Sequence, residues 1–317
     1  MFYKSFMTLN EALKNTKNKL EEKKVESSAI EARYIIEAVT GLDSSDFITH
    51  PNKELSKEHI DQINAYTARR LKGEPLSKIL GVKEFWGLEF IVNEHVLDPR
   101  PDTETLIEAV LDWVKSNSVI ARNEVTKQSH EGDRLPRSLH PLAMTENLKI
   151  LDLGTGTGCI PISLLSELPN ATAVAVDISD EALNIARQNA KKHKMSGRIE
   201  FRKGDWLEGL EDESFDIITS NPPYIPESDI ENLSVEVKNH DPIMALSGGK
   251  DGLDDYKKII FSLKNKLNGK NRAFLEIGFG QLESLTRLVD ESNLLLCDSR
   301  DDIAGIPRVV EISCGDK

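Results

Sequence analysis

Apolar residues recur at helical spacing through the first 75 positions and at strand spacing beyond position 149, and this change of period divides the chain. Thr8 is placed to cap LNEALKNTKNKL, with Glu11 three residues on as its capping-box partner. SSAIEARYIIEAVTG is expected to put Ile30, Tyr34, Ile35, Ala38 and Val39 on one face and to stop at Gly41. A third helix starts after Ser56 and is closed by Gly73 and Pro75. Residues 82–97, VKEFWGLEFIVNEHVL, gather β-branched and aromatic side chains around Gly87, as a hairpin does. A further helix is predicted over 102–115.

Residues 116–147 show weak periodicity, scattered Pro and Gly and balanced charge, and read as a surface insertion rather than a binding loop. From Lys149 strands and helices alternate: KILDLG, ATAVAVD, RIEFRKGD, FDIITSN, RAFLEIG, then strands near LLLCDS and RVVEIS. Such alternation predicts an α/β fold with a mostly parallel sheet, whose ligand sits beyond the carboxyl ends of the strands. The expected organisation is a helical domain over 1–80, a hairpin linker over 81–97 and an α/β domain over 98–317.

Composition narrows the class. With 39% apolar and 29% charged residues, and no long apolar run, the chain reads as soluble and non-membrane. The start lacks the apolar core of a secretory signal, and three cysteines without a CxxC pair suit a reducing compartment, so a cytoplasmic location is expected. The charge of −13 falls wholly on residues 91–317, because residues 1–90 are balanced. Direct nucleic-acid binding is therefore not expected. The seven histidines show no metal-ligand spacing, and no metal is expected.

The candidate chemistry lies at successive strand ends. Gly154, Thr155, Gly156, Thr157 and Gly158 form a turn whose glycines let backbone approach a ligand, with Cys159 where a dinucleotide fingerprint would need glycine. Asp177, ending the next strand, is placed to accept from both hydroxyls of a ribose; its other reading, a helix cap, can be filled by Ser179 or Asp180. Asp205 and Trp206 either bracket an adenine or serve as a cap and a core ring. Together these positions form a nucleoside pocket that fits S-adenosylmethionine better than ATP, since Lys250 in SGGKDG lacks the surroundings of a P-loop lysine. The fourth strand delivers Asn221, Pro222, Pro223 and Tyr224 to the same edge. A planar amide or aromatic amine is a poor nucleophile. The Asn221 side-chain oxygen and the Pro222 carbonyl can grip its two N–H bonds and aim the nitrogen at an electrophilic methyl. Pro223 fixes the direction of that carbonyl, and Tyr224 can stack on the flat group.

These residues resemble the protein-glutamine N5-methyltransferases that modify peptide-chain release factors. The resemblance rests on GEPLSKILGVKEFWGLEF, DPRPDTE, ILDLGTGTGCI, AVDIS, GDW, SNPPYI, ALSGGKDGLDDY and DDIAGIPRVVE, and covers nearly everything except 116–147. It implies a Rossmann-like class I methyltransferase domain with a mostly parallel seven-stranded sheet, joined to a small N-terminal helical domain. By resemblance, Gly154 to Gly158, Asp177, Trp206 and Asn221 contact S-adenosylmethionine, which leaves as S-adenosylhomocysteine. Asn221 to Tyr224 would then hold the glutamine of a Gly-Gly-Gln loop in class I release factors, docked with help from the helical domain. Asp98 stands where that family usually has an apolar residue. The alternative is a nucleic-acid exocyclic-amine N-methyltransferase, which shares the Asn-Pro-Pro-Tyr chemistry.

Overall fold

The computed structural model describes residues 7–128 and 147–315. The chain divides into two compact units: one runs through Val82 and takes in Leu233–His240, and the other comprises Lys83–Asn232 and Asp241 onward.

In the first unit β1 (Met7–Thr8) pairs with β2 (Glu54–Leu55), and around them stand α1 (Leu9–Glu22), α2 (Ser28–Thr40), α3 (Asp46–Thr49), α4 (Lys57–Leu71) and α5 (Leu76–Leu80). Thr8 and Glu11 form the expected capping box, Gly41 ends α2 at φ +68°, and Ser56 accepts from the His59 amide. The buried stripe of α2 is Ala32, Ile35 and Ile36. Ile30 and Tyr34 are 50% and 43% exposed and Ala38 is exposed, contrary to the face expected from the sequence. α2 packs against both α1 and α4, and small Ala32 allows the close approach that two neighbours require. Arg70, nearly buried, is held between Glu31 at 2.6 Å and Glu236 at 2.7 Å, so the returning segment is tied to α4 by charge.

A hairpin follows, β3 (Val82–Phe85) and β4 (Leu88–Ile91), turned by Trp86 and Gly87, both at positive φ. Helix α6 (Glu104–Gln128) runs thirteen residues past the predicted end, so 116–128 is helix rather than the start of an irregular insertion. Nothing from Ser116 to Gln128 is Pro or Gly, and the Ser and Asn residues there do not suffice to stop a helix already packed on the core. Residues 129–146 of that insertion lie outside the described residues.

There follow β5 (Lys149–Leu153), α7 (Cys159–Glu167), β6 (Thr172–Asp177), α8 (Asp180–Lys192), β7 (Ile199–Lys203), β8 (Ile217–Ser220), α9 (Glu227–Ile230), α10 (Val235–His240), α11 (Asp254–Leu263), β9 (Arg272–Glu276), α12 (Leu282–Glu291), β10 (Leu294–Asp301) and β11 (Pro307–Cys314). The seven-stranded sheet has the order β10-β11-β9-β8-β5-β6-β7, parallel except where β11 runs against its neighbours. Period two is visible in the packing. Ile150, Ala173, Ile217, Phe274 and Val309 enter one apolar layer with α6 and α7, whereas Leu151, Val174, Ile218, Leu275 and Val310 enter another with α11 and α12. Strand order reverses between β5 and β8, and in an open α/β sheet that reversal opens a crevice at the carboxyl ends.

Candidate active site

A cavity of about 380 Å³ lies at this reversal, wholly within the second unit. All the sequence-predicted site residues line it except Gly158, Pro222 and Tyr224. The glycines of the turn divide their tasks. A Cβ on Gly156 would meet no protein atom, so its backbone, at φ +55°, lies bare toward open space. On Gly154 a Cβ would come within 3.1 Å of the Trp206 ring, and on Gly158 it would press into Ile162 and Ala186. Gly154 therefore makes room for the indole, and Gly158 for close packing of α7 on α8.

Asp177 is part of the same loop. Its Oδ2 accepts from the Gly156 amide at 2.8 Å and its Oδ1 from the Ser179 amide at 3.0 Å, while Ser179 caps α8 as the sequence allowed. Burial raises the pKa of this carboxyl, and the backbone amides oppose that. Trp206, also at positive φ, lays its ring over Gly154, and its Nε1 donates to Asp255 Oδ1 at 3.3 Å. Asp205 is exposed at the rim. Cys159 is packed at the start of α7, where burial pushes its thiol to about 12, so it is no nucleophile.

Asn221 follows β8 directly. Its Nδ2 donates to Thr103 Oγ1 at 3.1 Å, which leaves the amide oxygen for the cavity. The turn behind it is braced from three sides. Ile225 bridges to Ser247, with main-chain bonds to Leu246 and Gly248. Gln281 Nε2 donates to the Tyr224 carbonyl at 2.9 Å and the Gly252 carbonyl at 3.2 Å, and its Oε1 accepts from the Gly278 amide. Pro222 is buried, and the half-buried Tyr224 ring packs on Gly278 within the field of Arg100 and Asp102. Burial pushes the Tyr224 phenol to about 12.

Sequence reasoning missed Thr103, Arg100, Gln281 and Glu276. Arg100 lines the cavity and pairs with Asp241 at 2.7 Å. Thr103 and Arg100 sit in DPRPDTE, whose spacing does not show which side chains face the cavity, and Gln281 and Glu276 flank the carboxyl end of β9, where periodicity shows a strand alone.

Sheet order, crevice and glycine turn define a Rossmann-like methyltransferase domain, and residues 144–248 match a methyltransferase domain as a family. Residues 11–81 match the PrmC N-terminal domain. The chain is 36% identical to a release factor glutamine methyltransferase of Geobacter sulfurreducens, over 96% of this chain and 95% of that one. Against the protein of the same description from Caulobacter vibrioides it is 33% identical, over 96% of each. It belongs to the release factor glutamine methyltransferase family. It is also 36% identical to a bifunctional methyltransferase of Rickettsia typhi over 96% of its length, but spans only 57% of that longer protein. Among solved structures, the hMettl16 catalytic domain in complex with an RNA hairpin superposes with a TM-score of 0.51 at 18% identity, covering 80% of this chain and 83% of that one, a likeness of fold.

Proposed function

We propose that this protein transfers a methyl group from S-adenosylmethionine to the side-chain amide nitrogen of the glutamine in the Gly-Gly-Gln loop of class I peptide-chain release factors. The observation that carries the proposal is the Asn221 amide: its nitrogen is committed to Thr103, and its oxygen is left to a cavity shared with the bare Gly156 backbone and Asp177.

The donor set fits the cofactor. Gly156 offers backbone without a side chain in the way, Asp177 offers acceptors for ribose hydroxyls, and Trp206 offers an aromatic face beside them. When bound, S-adenosylmethionine supplies an electrophilic methyl, whose bonding pair leaves with sulfur as S-adenosylhomocysteine. The chain's own residues prepare the nucleophile. Asn221 Oδ1 and the Pro222 carbonyl accept the two N–H bonds of the substrate carboxamide and hold its nitrogen edge-on. Pro223 restricts Pro222 to an extended backbone, which fixes that carbonyl. Tyr224 covers the flat amide and sheds water from it. Once alkylated, the nitrogen releases one proton to solvent. Positioning and oriented dipoles carry the rate. The helical unit, stiffened by the Arg70 pairs, is assigned to holding the body of the release factor.

The test is incubation with methyl-labelled S-adenosylmethionine and, in separate arms, a release factor, tRNA or DNA, followed by peptide mapping. Label on the loop glutamine is the expected result. Label on a nucleic-acid amino group, with the release factor unmodified, refutes the proposal.

A further inference from the structure

Glu276 ends β9, is 0% exposed, and takes no part in the chemistry above. Neither carboxyl oxygen closes a hydrogen bond of good geometry with a described residue. Ser220 and Leu275 are level in the parallel pairing of β8 with β9, so Glu276 is one step further on, level with Asn221. Thr103, 2% exposed, adjoins both: it accepts from Asn221 Nδ2, and Thr103 and Asn221 are the polar side chains that lower the pKa of Glu276. Burial outweighs them and holds the carboxyl at about 7. The other titratable or charged groups that feel it are Arg308, Asp102, Tyr224, Tyr256 and Cys159. Arg308 is already engaged with Asp302 at 2.9 Å and the Ile277 carbonyl at 3.2 Å.

A hydroxyl that accepts from an amide N–H must send its own proton elsewhere. An ionised carboxylate only accepts, whereas a protonated acid or a side-chain amide offers a donor as well. We propose that Glu276 is a positioning residue. Once ionised, it is the acceptor that stands beside both the Thr103 hydroxyl and the Asn221 amide, and it fixes which end of Asn221 faces the cavity. This rests on the methyl-transfer reading above. Without that acceptor the hydroxyl turns and donates to Asn221 Oδ1. The amide then presents N–H groups to a substrate that is itself an N–H donor, and the grip is lost.

The test compares wild type with Glu276→Gln, Thr103→Val and Thr103→Ser. Wild-type kcat for the release factor should rise with pH through about 7 and level off. Glu276→Gln and Thr103→Val should each lower kcat by ~10–10² with cofactor affinity, measured by calorimetry, changed less than ~3-fold. Thr103→Ser should retain activity, and in Glu276→Gln the rise near pH 7 should vanish. Asp152, also held at about 7, is untouched by these variants, so a rise that persists in Glu276→Gln belongs elsewhere and overturns the proposal. A second readout is independent of turnover. The side-chain NH₂ resonances of Asn221, assigned by their loss in Asn221→Ala, should shift with pH through about 7 in wild type and not in Glu276→Gln. If they do not move in wild type, the proposal fails. If they move but wild type leaves every release factor unmethylated, the positioning chain stands and it is the substrate reading that falls.

Discussion

Gly248→Ala tests whether the Asn-Pro-Pro-Tyr turn is held to sub-ångström position from behind. Gly248 is not at positive φ, so alanine suits its backbone; the obstacle is space alone. Its Cβ would lie 2.6 Å from the Pro223 carbonyl oxygen and 2.8 Å from that of Gly252. Real Cβ atoms essentially never approach closer than 3.0 Å, so at least one wall must retreat. Both walls are tied together, because Gln281 Nε2 bonds the Tyr224 and Gly252 carbonyls at once. Relief therefore moves the turn by about half an ångström, at a cost in stability of about 1–3 kcal/mol for an overpacked site. A displacement of that size at the reacting amide should lower kcat by ~10–10², while cofactor affinity, assigned in the proposal to Gly156 and Asp177, changes less than ~3-fold. Steady-state kinetics with a release factor, calorimetry with S-adenosylmethionine and urea unfolding separate the three quantities. A folded Gly248→Ala protein with wild-type kcat would show that Gly248 does not set the position of the turn.

Asn221→Ala should lower turnover by ~10²–10³, since one preorganised polar group is lost, with a much smaller fall in cofactor affinity; collapse of cofactor binding with normal turnover at saturation contradicts the role assigned to it. Asp177→Ala unpairs the Gly156 and Ser179 amides and removes the acceptor proposed for a ribose, so calorimetry should show S-adenosylmethionine affinity reduced by ~10-fold or more. Glu276→Gln should change stability in the opposite sense to activity. Ionisation at about 7 in the fold, against 4.5 when solvated, means that the folded state holds its proton longer, so stability contributed at low pH is lost as pH rises from 4.5 through 7. Above pH 7 the variant should be the more stable by up to about 3 kcal/mol, with the gap closing toward pH 4.5. Equal urea midpoints at pH 8 would mean that the carboxyl ionises without penalty.

The parts of this protein that were readable in its sequence are those in which cause and effect lie close along the chain. Thr8 and Glu11 announce a cap because three residues separate them, and β5 and β6 announce themselves by alternate apolar positions that do enter two different layers. That Gly156, Asp177 and Asn221 meet at one cavity was readable because each ends or follows a strand of one parallel sheet, and that topology gathers strand ends by necessity. The assignment of tasks among glycines was not readable, since it depends on Trp206 crossing over Gly154 and Ala186 meeting Gly158. Nor could the stripe of α2 be read: Ile30 and Tyr34 outrank Ala32 in hydrophobicity, but α1 and α4 select the face with the small residue. Thr103 and Asn221 are 118 positions apart, and no periodicity carries that distance.

Two fully buried acids remain to be reconciled with a stable core. Asp152 and Glu276 are both 0% exposed, both are held at about 7, and they stand behind the glycine turn and the Asn-Pro-Pro-Tyr turn respectively. Ionising either one in place costs about 3 kcal/mol or more relative to the unfolded chain, a large share of the roughly 5–15 kcal/mol that holds a domain folded. Apolar residues of the same size would remove that cost. What they could not do is give a hydroxyl a fixed direction. Thr219 Oγ1 donates to Asp152 Oδ1 at 2.8 Å, with Thr155 as a second hydroxyl beside it, and Thr103 stands between Asn221 and Glu276. In each case a threonine hydroxyl stands beside a group that, once ionised, only accepts. Both carboxyls ionise in the fold near pH 7, so the penalty accrues between their solvated values and 7, and the acceptor that each offers its threonine is complete only above 7.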